Sequence, residues 1–155
     1  MIWTPERQKL ALESCDKWHG TPHRNRIAIP GVGVDCIKFV HEILYDSGVV
    51  PRVEYQGYDL EAGMWGPSDK LQHCILQCVN GEVVQEPYEF GDILLFKTGR
   101  RSAHCGFYVP DYIWHSLAHR QVTKSDFPLW RKEIECGIRI TSEGLKTSPA
   151  NIDLK

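Results

Sequence analysis

Six cysteines and seven histidines are the side chains in this 155-residue sequence with the most to offer chemically. A cysteine acts as a nucleophile through its thiolate, which is favoured where a helix N-terminus or a cation lowers the thiol pKa. Cys36 meets that condition. It follows the Gly- and Pro-containing loop HGTPHRNRIAIPGVGV and opens the stretch DCIKFVHEILYDSG. In that stretch Cys36, Phe39, Val40, Ile43 and Leu44 recur at helical spacing. Asp35 is placed to cap the helix, Gly48 to end it, and Pro51 lies beyond. Cys74 and Cys78 fall instead on the apolar stripe of another helical stretch, where a reduced cysteine packs as a small hydrophobe. With His73 beside them they have the look of half a zinc site. A structural zinc wants four ligands and no second clustered pair is present, so no metal is expected. Cys15 reads as a plain helix residue, and Cys105 and Cys136 as strand residues.

A thiol nucleophile needs a base, and the base needs a group that holds its tautomer. The segment AHCGFYVPDYIWHSLA reads as a hairpin turning at Pro110-Asp111. A two-residue turn pairs Val109 with Tyr112, Phe107 with Trp114 and Gly106 with His115. Alternation then sets His104, Gly106 and Tyr108 on one face and Cys105, Phe107 and Val109 on the other. His115 shares the face of His104 one diagonal step away, within side-chain reach. A three-residue loop would reverse this. Gly106 leaves room for the two rings, and the same alternation argues against Cys105 as nucleophile. Of the other histidines, His41 and His73 are expected on solvated helix faces. His19 and His119 have no evident partner, and His23 lies in the loop before Cys36.

The elements that must position these residues read as helices first and strands after. A first helix spans about residues 5–17, capped by Thr4 with Pro5 at its first position. The Cys36 helix follows, then a third in GPSDKLQHCILQCVNG with Leu71, Cys74, Ile75 and Cys78 inward. GDILLF, AHCGFYV, YIWHSLA and CGIRI are short strands. The fold class is therefore α+β, N-terminal helices packed on a small antiparallel sheet, in a single domain over 1–155. Residues 141–155 read as a loosely held tail. A net charge of −2 excludes an electrostatic footprint for nucleic acid. No apolar run is long enough to span a membrane. Glu6, Glu13 and Asp16 interrupt any signal-peptide core, so no secretory signal is expected. No cofactor is implied, and the cysteine spacing makes no compact disulfide framework.

Taken in order, several of these pieces resemble the NlpC-type cysteine peptidases, papain-like enzymes that cut the peptides of bacterial cell wall. WHGTPHR is similar to that family's W-x-G-T-P-Y segment, and GVDCIKFVHEILYDSGVVPR to its D-C-S-G-F-V helix and following Pro-Arg. GDILLF, HCGFYV (similar to H-V-G-I-Y) and IWHSLA (similar to its I-H-A ending) follow, so the resemblance covers about residues 18–140. It implies a papain-like fold with Cys36 as nucleophile, His104 as base and His115 as orienting third member. The implied reaction is hydrolysis of an amide bond in the peptidoglycan stem peptide, of γ-D-glutamyl–diamino acid type. His23 stands where the family has tyrosine and is expected to serve the oxyanion or substrate, with Asp35 and Arg24 beside it. Ile37-Lys38 replaces the family's Ser-Gly after the cysteine. The alternatives are a papain-like amidase or acyltransferase acting elsewhere, and a phage tail-assembly module that kept the fold. Arg26, Arg100 and Arg101 are further candidates for substrate carboxylates, against a reading as solvated loop charge, and Trp18 and Trp65 for a groove, against core or rim packing. A wall substrate without a signal implies cytoplasmic synthesis followed by phage- or secretion-mediated delivery, or recycling of wall fragments in the cytoplasm.

Overall fold

The computed structural model describes residues 1–52, 69–97 and 104–146. Trp65, Arg100 and Arg101 lie outside them.

Helix α1 spans Pro5–Trp18. Thr4 accepts the Arg7 amide at 3.2 Å, and Pro5 starts the helix where its missing N–H costs nothing. Its buried face is Ala11, Ser14, Cys15 and Trp18. A small hairpin of β1 (Ala28–Ile29) and β2 (Gly33–Val34) leads into α2 (Cys36–Asp46). Ser47 donates its hydroxyl to the Ile43 carbonyl at 2.8 Å, and Gly48 takes the left-handed conformation that ends the helix. The expected inward residues of α2 are all buried, but the helix is covered more widely than its apolar stripe predicts. His41 is only 6% exposed rather than solvated, and Glu42 is buried because Arg52 meets it with a two-pronged ion pair at 2.6 and 3.0 Å. Helix α3 (Asp69–Cys78) buries Leu71, Cys74, Ile75 and Cys78, and His73 is exposed as expected.

Six antiparallel strands follow: β3 (Val79–Val84), β4 (Ile93–Phe96), β5 (Cys105–Val109), β6 (Tyr112–Ser116), β7 (Val122–Asp126) and β8 (Ile134–Leu145). Their order across the sheet is β3-β8-β4-β5-β6-β7. Between β7 and β8 the chain makes a one-turn helix α4 (Phe127–Trp130) and a 3-10 turn. Helices α1, α2 and α3 cover one sheet face and share the larger core with Val34, Cys105, Phe107 and Trp114. On the other face Leu94, Phe96, Tyr108 and Ile113 pack with Phe127 of α4, and with Ile134. The molecule is thus α+β, with helices preceding an antiparallel sheet, as expected. Among the described residues no helix is long and apolar enough to cross a membrane.

Three features differ from expectation. Strands β3 and β7 were not anticipated, and β8 does not stop at Ile140. Residues 141–145, expected to begin a loose tail, continue β8; Gly144 donates to the Val49 carbonyl at 2.9 Å. The β5–β6 hairpin has the expected register, Val109 with Tyr112 and Phe107 with Trp114. Its turn works because Pro110 fixes a negative φ and Asp111 tolerates a positive one (71°). Gly106 lies under the hairpin partner. A Cβ there would stand 2.7 Å from Ile113 Cγ2 and 3.2 Å from His115 Cβ. Gly106→Ala is therefore expected to cost about 1–3 kcal/mol in chemical denaturation and to disturb the His115 ring. Wild-type stability in that variant would show the hairpin to be looser than this packing.

Candidate active site

Cys36 is the first residue of α2 and is 1% exposed. The turn that presents it is held by Asp35, whose Oδ1 accepts the Lys38 amide at 2.8 Å and whose Oδ2 accepts the Arg26 amide at 3.2 Å. Burial pushes the Asp35 carboxyl up, and the two amides oppose that shift. Both oxygens thus serve the backbone, which makes Asp35 the cap and loop anchor. Arg24 is exposed, and its stem lies across Gly33, where a Cβ would meet Arg24 Cδ at 2.7 Å.

The two histidines of the hairpin meet. His104 Nε2 lies 3.0 Å from His115 Nδ1, and His115 Nε2 lies 2.8 Å from Ser125 Oγ. Ser125 was missed in the sequence. It belongs to β7, opposite Ile113 in register, and VTKSD carries no apolar alternation to announce a strand. Aromatic rings enclose the pair: Phe96 stacks on His115 at 5.5 Å, Trp130 meets it edge-on at 5.2 Å, and Phe96 lies 4.4 Å from the His104 ring. Burial holds the His115 pKa down to about 4. Burial likewise lowers that of His104, and the neighbouring His115 and His23 rings disfavour a second positive charge beside them. Both rings are therefore neutral at neutral pH.

His23 is tied into this site from a different direction. Its segment bridges β2 and the turn before β7: the His23 amide donates to the Arg120 carbonyl at 2.9 Å, and the Val34 amide donates to the Pro22 carbonyl at 3.0 Å. His23 Nδ1 lies 3.2 Å from the Ser116 carbonyl and 3.0 Å from Ser116 Oγ. The carbonyl can only accept, and the Ser116 hydroxyl spends its proton on the Val34 carbonyl at 2.8 Å. Nδ1 must therefore carry the hydrogen, and in the neutral ring the lone pair is on Nε2.

The Cys36 thiol is in hydrogen-bond contact with the thiol of Cys105, the residue after His104. Strand alternation holds as read, with Cys105 and Phe107 packed in the helix-side core and Tyr108 in the other. Cys105 thus faces away from His104, as expected, and lies on the helix side of the sheet, the side on which Cys36 lies. Alternation separates Cys105 from His104 but does not separate it from Cys36. Cys74 and Cys78 hydrogen-bond each other on α3, and among the described residues no group of three His, Cys, Asp or Glu side chains is placed to hold a metal ion.

No sequence-family model and no curated protein matches the chain. Solved structures do. A protein similar to lipoprotein of the NLP/P60 family from Staphylococcus aureus superposes with a TM-score of 0.58 at 17% identity, over 89% of this chain and 42% of its own. An NlpC/P60 family protein from Bacillus cereus gives 0.56 at 24% identity, over 89% of this chain and 41% of its own. The chain thus spans less than half the length of these two. The NlpC/p60 domain of the peptidoglycan hydrolase SagA gives 0.56 at 14% identity, over 86% of this chain and 98% of that domain. The chain has the α+β, papain-like fold of NlpC/P60 proteins.

Proposed function

We propose that the protein is a thiol hydrolase of peptidoglycan stem peptides, cleaving a γ-D-glutamyl–diamino acid amide with Cys36, His104 and His115. The observation that carries this reading is the ordered chain His104–His115–Ser125, which begins one residue from the thiol that touches Cys36. That chain admits two proton arrangements. In one, His104 Nε2–H donates to His115 Nδ1, and His115 Nε2–H donates to Ser125. The His104 lone pair is then on Nδ1, where it can take a proton from a thiol, and His115 stabilises the imidazolium that results. In the other, every proton is reversed and His104 has no basic nitrogen to offer a nucleophile. Hydrolysis needs the first arrangement. The Cys36 thiolate adds to the amide carbon, the protonated His104 hands its proton to the leaving nitrogen, and water releases the acyl enzyme. Backbone N–H groups at the start of α2 are suited to the oxyanion.

The test is mass analysis of fragments from purified peptidoglycan digested by the protein and by Cys36→Ala. New amino termini at the diamino acid, made by the first and not by the second, support the reading. Cleavage of small amides or transfer of acyl groups without wall cleavage moves the activity to another substrate.

His23 has a defined part in this scheme. With Nδ1 committed to Ser116, only the imidazolium form offers an Nε2–H donor to the oxyanion. His23→Ala is expected to lose about 10²–10³ in turnover. Wild-type turnover should then fall as rising pH deprotonates the ring, whereas His23→Tyr, whose hydroxyl stays a donor, should keep turnover without that fall. Near-wild-type turnover in His23→Ala leaves the oxyanion to the backbone donors alone.

A further inference from the structure

Resting on Cys36 as the nucleophile, we propose that Cys105 is its resolving cysteine, and that peroxide switches the enzyme off reversibly by joining the two as a disulfide. The hydrolytic scheme gives Cys105 nothing to do, yet its thiol is in hydrogen-bond contact with that of Cys36. Both side chains belong to the core between α2 and β5, exposed by 1% and 0%. No disulfide links them. A small apolar cavity of about 30 Å³, lined by Ile37, Val40, Cys74 and Cys105 among others, adjoins the Cys105 side chain. That is enough to admit a water-sized atom, and it leaves a sulfur room to change rotamer.

The steps balance. The Cys36 thiolate attacks one oxygen of hydrogen peroxide; an S–O bond forms, the O–O bond breaks and hydroxide leaves to become water. Cys36 is now a sulfenic acid, oxidised by two electrons, and the peroxide is reduced by two. The Cys105 sulfur then attacks the Cys36 sulfur. The S–S bond forms, the S–O bond breaks, and the Cys105 proton leaves with the hydroxyl as a second water. Contact with Cys36 and burial push the Cys105 thiol pKa up, which keeps it a protonated thiol in the resting enzyme. Oxidation of Cys36 puts an electrophilic sulfur in the place of the thiol that Cys105 touches. A dithiol reductant reverses the bond by exchange. Without a resolving thiol, the sulfenic acid goes on to sulfinic acid, which simple thiols do not reverse.

The experiment is peroxide treatment of the whole protein, alkylation of the remaining thiols, and tryptic mapping. Cys36 lies in peptide 27–38 and Cys105 in peptide 102–120, whereas Cys74 and Cys78 share peptide 71–97. The expected result is a linked 27–38/102–120 species lighter than the sum by two hydrogens. Turnover should be lost with its appearance and restored by dithiothreitol. Cys105→Val should keep its turnover before treatment, then lose it irreversibly with sulfinic acid on Cys36. Should that variant fail to fold, the wild-type map decides alone. Three results overturn the proposal: Cys36 left unmodified, Cys36 linked to peptide 71–97 instead, or sulfinic acid on wild-type Cys36 with no 36–105 link. Turnover retained by untreated Cys36→Ala overturns the nucleophile assignment, and the switch with it, even where the 36–105 bond forms.

Discussion

Cys36→Ala is expected to abolish hydrolysis of wall fragments while leaving the protein folded. Removing a catalytic nucleophile deletes the covalent route, and the losses reach orders of magnitude. Residual turnover above about a hundredth of wild type would therefore remove Cys36 from the mechanism. The fold has little reason to suffer. Alanine is the strongest helix former, and the cap is made by Asp35 and not by Cys36. Thermal unfolding of the variant should stay within a few degrees of wild type. A limiting alkylating agent should also mark Cys36 before the other cysteines. The competitors are held as thiols: Cys15 and Cys136 by burial, Cys74 by its bond to Cys78 and by burial, and Cys105 by its contact with Cys36. Labelling that begins at Cys74 or Cys105 counts against the assignment.

The second large effect belongs to His104. His104→Ala removes the group that takes and returns the proton and should reduce turnover to the level of Cys36→Ala. His115→Gln keeps an amide oxygen or N–H near His104 Nε2 and should retain measurable activity, because orienting a base is the lesser task. Kinetics that rank His115 as the more sensitive position reverse these roles. The pH dependence distinguishes the pair further. The His115 pKa is lowered from the ordinary 6.5 to about 4 in the folded protein, so between those values the unfolded chain binds a proton that the folded chain refuses. The contribution of His115 to stability is full above about pH 6.5 and is lost as pH falls toward 4. Wild type should lose stability across that window more steeply than His115→Gln does. Parallel denaturation midpoints for the two proteins from pH 7 to 4 would show that His115 is not buried as a neutral ring.

Much of this site is legible in local chemistry. Thr4 with Pro5, and Asp35 before Cys36, start helices where their side chains reach amides three residues on. The Pro110-Asp111 turn sets the hairpin register, and period-two alternation then puts His104 and His115 on one face, where they meet at 3.0 Å. All these interactions span a few residues or one hairpin, so residue type and spacing determine them.

What the local pattern leaves open needs a partner distant in sequence. Strands β3 and β7 are the two edges of the sheet, each with a single neighbouring strand, and they carry little of the apolar alternation that marks central strands. Ser125 was invisible for the same reason, since it matters only once β7 pairs with β6 and brings it to His115. Glu42 is buried because Arg52 returns to meet it, and His41 because α2 is covered more broadly than its stripe. The Cys36–Cys105 contact shows the division most clearly. Alternation along β5 determines that Cys105 faces away from His104, but a strand's own sequence does not say which face a helix will cover. Packing of α2 on the Cys105 side of the sheet decides that, because burying the Phe39, Ile43 and Phe107 side chains together requires it.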